Sequence, residues 1–285
     1  MKRNTIQSVL MFAMILLLCS WGEKGHQKIN GSASQNFPAR LNRYNGWSEK
    51  LAEHGSDPDK RRRTDPTEDI KHYIDIDAYS DFLQTNRIVE GKEEAFNKYG
   101  EEFIKKNGTL PWVTDSTYQE LVKQFRAKEW SKAVLTAADL GHYVADGHMP
   151  LHLTLNYDGQ LTGQKGIHNR YESKMINLYI DSITVKRSRL HKVQNVSRYV
   201  FDYMYQNYQY KDSLLKDDLI AFNASGQEYG AMYYQTLWSQ FGTITIRLIT
   251  DSSKATAELI RTAWIEAGRP RIPREISLNA DESIK

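Results

Sequence analysis

Cysteine is almost absent from this chain. The 285-residue sequence contains one cysteine, Cys19, and it lies in an amino-terminal segment that we expect to be removed. A mature chain without cysteine has neither disulfide bonds nor thiolate metal ligands. In an oxidising compartment its fold must therefore depend on packing, or on a metal that other side chains bind.

Charge of one sign is not in excess either. The chain has 38 lysine and arginine residues against 35 aspartate and glutamate residues, a formal net charge of +3. Lys2 and Arg3 belong to the segment that we expect to be removed, and without them 36 basic residues face 35 acidic ones. Net charge therefore gives no reason to expect nucleic acid as a partner.

Long apolar runs are scarce, and the one at the amino terminus is short. Residues 9–18 are all apolar and follow the basic pair Lys2 and Arg3. Such a run is too short to span a bilayer and is typical of the core of an export signal. We therefore predict a signal peptide over residues 1–20 and an exported protein, either secreted or periplasmic, without a transmembrane segment in the mature chain.

The cleavage point decides which residue begins the mature chain. Cleavage after Ser20 would leave Trp21 as the first residue. A lipoprotein signal ending at Cys19 is less favoured, because Leu18 is bulkier than the small residue that such signals prefer. An uncleaved membrane anchor is the other alternative.

The sequence also lacks an internal repeat, a glycine-rich phosphate loop and an alternation of strands with helices. Apolar residues instead recur at helical spacing through most of the chain. We predict an all-α fold, with one domain over residues 21–268 and a polar tail over residues 269–285. The predicted helices cover residues 40–54, 93–107, 116–128, 130–145, 167–180, 195–208, 212–222 and 229–267.

One segment, residues 140–153, concentrates groups that bind metal ions. His142 and Asp146 are four residues apart, so they share one face of a helix. Pro150 ends that helix, and His152 therefore approaches from a different backbone direction. A single pair of this kind is more often a surface feature, but ligands that converge from two directions indicate a metal site.

Three further histidines have a carboxylate or the predicted chain terminus close by in sequence. His168 and Glu172 form a second helical pair at a spacing of four. His72 follows a polar loop that contains Asp57, and His26 lies near the predicted mature amino terminus. Imidazole nitrogen and carboxylate oxygen, without cysteine, are ligands that suit zinc.

This pattern resembles the superfamily that contains zinc-dependent phospholipases C and the single-strand-specific zinc nucleases of fungi and plants. The resemblance covers most of the predicted mature chain and implies an all-α domain that holds three zinc ions in a cleft. It implies nine ligands, with Asp146 bridging two ions. These are Trp21 (through its free amine and carbonyl) and His26 for the first ion, Asp57, His72, His142 and Asp146 for the second, and His152, His168 and Glu172 for the third.

The activity that the resemblance implies is hydrolysis of phosphodiester bonds. Zinc ions polarise phosphoryl oxygens, activate water and stabilise the departing oxygen. Asp57 is the candidate catalytic residue that orients or deprotonates this water. Asp59 is an alternative, but the interval of fifteen residues between Asp57 and His72 favours Asp57.

The implied substrate is a phospholipid head group or a single-stranded nucleic acid. Glu172, where the nucleases have aspartate, and the lack of cysteine resemble the bacterial phospholipases. The spacings from Trp21 to His26 and from Asp57 to His72 resemble the nucleases. We favour a phospholipase C-like enzyme over a nuclease. Outside this class, the alternatives are a binding module that uses metal only to hold its fold and a membrane-anchored helical bundle.

Several residues near these candidates receive plainer interpretations. His148 either donates a hydrogen bond to a ligand or serves only in packing. The basic run over residues 60–63 is interpreted as a solvated turn rather than a phosphate contact. His54 and His191 are expected to be ordinary surface residues.

Overall fold

The computed structural model describes residues 21–278, and the regular secondary structure of this part is entirely helical. The predicted all-α fold is therefore confirmed. The predicted export signal, residues 1–20, and the last residues of the predicted tail, 279–285, lie outside the described residues. None of the described helices is both long enough and apolar enough to cross a bilayer.

The α-helices follow one another with short connections. They are α1 Gly22–Ala33, α2 Trp47–His54, α3 Asp57–Arg61, α4 Ser80–Thr85, α5 Lys92–Tyr99, α6 Glu101–Lys106, α7 Leu110–Ala127, α8 Trp130–Asp146, α9 Ile167–Asn169, α10 Ile176–Tyr179, α11 Val196–Tyr208, α12 Lys211–Ala224 and α13 Ala231–Glu266. Short 3₁₀ turns include Asp69–Lys71 and Pro150–Leu153, and a π-helical turn, Arg170–Met175, joins α9 to α10.

Several helix boundaries differ from the predicted ones. The helix predicted over residues 93–107 is divided into α5 and α6 by Gly100, whose φ of 84° is accessible mainly to glycine. The segment predicted to form a helix from residue 40 is a turn until Trp47. The polar loop predicted around Asp57 contains the short helix α3. Pro58 lies in its first turn, where the backbone nitrogen has no hydrogen-bond partner within the helix, so a proline is tolerated there.

Helix α8 lies at the centre of the molecule, in contact with α1, α2, α7 and α13. Its apolar residues belong to two buried clusters. Val134, Leu140 and Val144 pack in one, and Ala145 packs in the other. Because α8 is enclosed on several sides, polar groups near its carboxyl-terminal end are removed from water and need partners inside the protein.

The beginning of the predicted polar tail is attached to the domain. Ile272 is fully buried, and the indole Nε1 of Trp264 donates a hydrogen bond to the carbonyl of Pro270 at 2.9 Å. The backbone nitrogen of Asn45 donates to the carbonyl of Arg274 at 3.4 Å. These contacts fold residues 269–274 back over the end of α13.

Candidate metal centre

The carboxyl-terminal end of α8 carries His142 and Asp146, both fully buried. Their spacing of four residues places His142 Nε2 3.3 Å from Asp146 Oδ2, as the helical period requires. His26, on α1, stacks on the His142 ring with centroids 3.9 Å apart, and its Nε2 lies 3.5 Å from Asp146 Oδ1. His72, after the turn Asp69–Lys71, places its Nδ1 3.0 Å from Asp146 Oδ2 and 3.0 Å from His142 Nε2.

A second group of donors lies beside the first. His152 is in the 3₁₀ turn that begins at Pro150, His168 is on α9, and Glu172 is in the π-helical turn. His152 Nε2 is 3.2 Å from His168 Nε2, and His168 Nε2 is 3.0 Å from Glu172 Oε1. Single π-helical turns inside helices are frequent at functional sites.

Trp21 and Asp146 connect the two groups. The backbone nitrogen of Trp21 donates to Glu172 Oε2 at 3.1 Å, and its buried indole donates to the carbonyl of Ala145 at 2.6 Å. His152 Nδ1 lies 3.7 Å from Asp146 Oδ1. The structure therefore brings eight of the nine candidate ligands into one buried cluster, and the exception is Asp57.

Asp57 does not lie in this cluster, and Asp59 takes the expected place. The Asp57 carboxylate binds His54 Nδ1 at 2.7 Å and Lys60 Nζ at 2.9 Å. Asp59 Oδ1 lies 3.6 Å from His72 Nδ1. Two residues along an α-helix correspond to a rotation of about 200°, so two acids at this spacing on α3 point in nearly opposite directions. The structure thus places Asp59, and not Asp57, beside His72, although the interval of fifteen residues favoured Asp57.

Three backbone carbonyls orient the imidazole rings. They accept hydrogen bonds from the Nδ1 atoms of His142, His152 and His168, at 2.8, 2.7 and 3.0 Å. A carbonyl oxygen only accepts, so each Nδ1 carries a hydrogen and each neutral ring presents a lone pair at Nε2. Fixing a ring in this way is typical of histidines that bind metals through Nε2.

The facing lone pairs need a positive charge between them. The Nε2 atoms of His152 and His168 approach to 3.2 Å next to the Glu172 carboxylate, so three electron-rich groups face a common space. Only an added proton or a metal cation makes this arrangement favourable. Asp59 Oδ1 and Asp146 Oδ1 are also buried without a hydrogen-bond donor, which is costly unless a cation neutralises them. The donor set therefore fits a bound metal ion.

The pKa shifts of the carboxyl groups in the cluster also follow from burial and from the neighbouring donors. Burial raises the pKa of Asp59 to about 7 and raises the pKa of Asp146 well above its ordinary value. Burial would also raise the pKa of Glu172, but the neighbouring His168 and His152 outweigh it and lower this pKa. A bound divalent cation would lower the pKa of all three carboxyl groups, because it favours their charged forms.

A cleft of about 220 Å³ opens beside the cluster. His72, His152 and His168 line it. Its other walls combine basic, aromatic, acidic and aliphatic side chains, namely Arg62, Lys106, Tyr73, Tyr157, Asp69, Asp75 and Leu151. The candidate metal-binding groups are therefore accessible to a ligand that offers an anionic group near Arg62 and Lys106.

Glu68 is a supporting residue that the sequence interpretation missed. Its side chain is 1% exposed, accepts a short hydrogen bond from Tyr143 Oη, and lies with Oε1 3.7 Å from His72 Nε2. At this distance the two atoms are not hydrogen-bonded, so Glu68 contributes a negative charge beside His72 rather than a hydrogen bond to it. The spacing of four residues between Glu68 and His72 was the signal that could have identified it.

Two other histidines differ in role from the candidate ligands. His148 donates from Nδ1 to the carbonyl of Val144 at 2.7 Å and stacks on Tyr203, so its role is packing rather than support of a ligand. His54, expected on the surface, is buried and paired with Asp57.

No model of a known protein family matches this sequence, and a search of the curated proteins finds no matching relative. The resemblance to zinc phospholipases and nucleases therefore depends on the identity and spacing of the candidate ligands.

Proposed function

We propose that this chain is a zinc-dependent hydrolase of phosphodiester bonds. The observation that carries the proposal is the arrangement of three groups of donors, each with its ligand atoms within 4.8 Å of one another, beside a cleft lined by charged and aromatic side chains. The groups are His26, His142 and Asp146, then Asp59, His72 and His142, then His152, His168 and Glu172.

Zinc is the ion that suits this donor set. The groups offer imidazole nitrogen with a few carboxylate oxygens, whereas calcium and magnesium prefer sites built of oxygen alone. Trp21 would add its amino group near Glu172 in a chain cleaved after Ser20. Bound zinc would polarise the phosphoryl group, activate water and stabilise the departing oxygen.

The side chains of the cleft have separate tasks in this reaction. Asp59, at the cluster and next to His72, orients the attacking water and accepts its proton. Lys106 attracts the anionic substrate, together with Arg62, whose charge is partly offset by its pair with Asp69. Glu68 places a negative charge 3.7 Å from His72 Nε2.

Charge at the site favours a phosphate ester over a neutral ester or amide. Three divalent ions held by this cluster would exceed in charge the three carboxylates of Asp59, Asp146 and Glu172. An anionic phosphoryl group neutralises this excess, and a neutral group does not.

A phospholipid is the first candidate substrate. Tyr73 and Tyr157 line the cleft together with the carboxylates Asp69 and Asp75. Aromatic faces and carboxylates bind a cationic head group such as choline. This combination supports a phospholipase C-like activity, and so does Glu172, which stands where the nucleases have aspartate.

Single-stranded nucleic acid is the second candidate. The same tyrosine rings can stack with bases, while Arg62 and Lys106 contact the backbone. Burial raises the pKa of Asp75 to about 7, so this carboxyl group is partly protonated near neutral pH and can donate a hydrogen bond to a base.

One pair of assays tests the proposal and separates the two substrates. We expect the zinc-loaded mature protein either to release diacylglycerol from phosphatidylcholine or to digest single-stranded DNA or RNA, and to lose that activity on treatment with a chelator. A chelated sample restored with zinc controls for unfolding. Absence of both activities in protein that binds at least two zinc ions would favour the alternative in which the metal only holds the fold.

The position of Trp21 gives a prediction about export and cleavage. We propose that residues 1–20 direct export and that the mature chain begins at Trp21, whose nitrogen already lies 3.1 Å from Glu172. One alanine added before Trp21 should lower zinc content and activity, because a peptide nitrogen cannot bind a metal as an amine does. The matched control is one alanine added after Lys285. Equal zinc content and activity in the two extended proteins would contradict the prediction.

A further inference from the structure

A second cavity lies between the turn that precedes α2 and the segment that follows α13. Its volume is about 420 Å³. Four arginines line it, Arg40, Arg43, Arg269 and Arg271, with Trp264, Ala39 and Pro270. It shares no lining residue with the cleft at the metal centre.

The walls of this cavity are held by hydrogen bonds to backbone carbonyls, and none of these bonds involves a guanidinium group. Trp264 donates from its indole to the carbonyl of Pro270 at 2.9 Å, and the backbone nitrogen of Arg269 donates to the carbonyl of Trp264 at 2.9 Å. The contact of Asn45 with the carbonyl of Arg274 joins the two walls. Arg40, Arg269 and Arg271 are exposed, so their guanidinium groups are accessible to a ligand from solvent.

The positive charge of the cavity has no counterpart in the described part of the chain. Within residues 21–278, none of Arg40, Arg43, Arg269 and Arg271 forms an ion pair with a carboxylate. The Nε atom of Arg43 is buried and makes no hydrogen bond. An arginine side chain stays protonated at any physiological pH, and a buried charged donor without an acceptor is destabilising.

We propose that this cavity is a second anion-binding site, for a ligand that carries a phosphate group. Guanidinium groups form paired hydrogen bonds with phosphate oxygens, which makes arginine the preferred residue for such ligands. Several arginines around one cavity favour a dianionic group over a single carboxylate, since each added negative charge offsets more of their mutual repulsion. Trp264 and Pro270 supply an apolar wall for the rest of the ligand.

Calorimetric titration of the zinc-loaded mature protein tests this site. The probes are inorganic phosphate, a short phosphorothioate oligothymidylate, and vesicles that contain phosphatidic acid, so the source of the phosphate is distinguished. We expect Arg269→Gln/Arg271→Gln to weaken binding of at least one probe by about tenfold or more, because two charge-assisted contacts are lost. Arg43→Gln should weaken the same probe.

The matched control is Arg189→Gln/Arg247→Gln, which removes the same charge from residues that do not line the cavity. It should leave the affinity unchanged. Hydrolytic activity should equal that of the wild type in all of these variants, so failure of this proposal is distinguishable from failure of the proposed function. Unchanged affinity for all three probes in both cavity variants, or an equal loss in the control, would overturn the proposal.

Discussion

Asp59→Asn should remove most of the phosphodiesterase activity, whereas Asp57→Asn should leave it nearly unchanged. Asp59 faces His72 at the metal-binding cluster, and Asp57 is turned away toward His54 and Lys60. Loss of a general base typically lowers the rate by a factor of about 10² to 10⁴. The measurement is kcat/KM on whichever substrate the paired assays identify.

These two variants control for each other. Each replaces a carboxylate by an amide of the same shape, two residues apart on the same short helix. Asp57→Asn weakens one pair with the exposed Lys60 and one with the buried His54, so its thermal midpoint should fall while its activity is retained. If Asp57→Asn lost as much activity as Asp59→Asn, the assignment of Asp59 to the site would be wrong.

Asp146→Ala should release more zinc than His152→Ala. The Asp146 oxygens lie within 3.7 Å of nitrogen atoms of four histidines, His26, His72, His142 and His152. No other carboxylate of the cluster lies close to as many histidines, and we propose that Asp146 bridges two ions. His152 belongs to the third group alone. Elemental analysis after gel filtration measures the zinc bound per chain.

Stability with and without metal gives a second readout for the same variant. In zinc, Asp146→Ala should unfold at lower temperature than the wild type, because the binding energy of the ions contributes to folding. In chelator the difference should shrink or reverse, since the wild type then buries a carboxylate oxygen that has no hydrogen-bond donor. Equal zinc loss in Asp146→Ala and His152→Ala would refute the bridging role.

The helical period explains why much of the cluster was predictable. His142 and Asp146 are a pair at a spacing of four, and an α-helix places such a pair on one face. His168 and Glu172 have the same spacing and also meet, across the junction of α9 with the π-helical turn. Pro150 predicted a change of direction before His152, and the 3₁₀ turn Pro150–Leu153 provides it. These inferences needed only local geometry.

Contacts between distant segments were outside the reach of local patterns. Trp21 and Glu172 are 151 residues apart and hydrogen-bonded, and His72 meets Asp146 across 74 residues. The arginine-lined cavity likewise joins residues 39–43 to residues 264–271. The free energy of burying apolar area is not directional, so the apolar face of a helix does not specify its partner helix. Only the tertiary packing determines which faces meet.

By itself, then, the sequence determined the all-α fold and the local pairs of candidate ligands, since apolar periodicity and helical spacing act within a few turns. Only the tertiary structure placed Asp59, and not Asp57, beside His72. Both acids occupy the first turn of α3, and the direction in which each points depends on how that helix packs against α8. The same packing brought Glu68 to His72 and left His148 against Tyr203, because each buried polar group takes the partner that the fold places within reach.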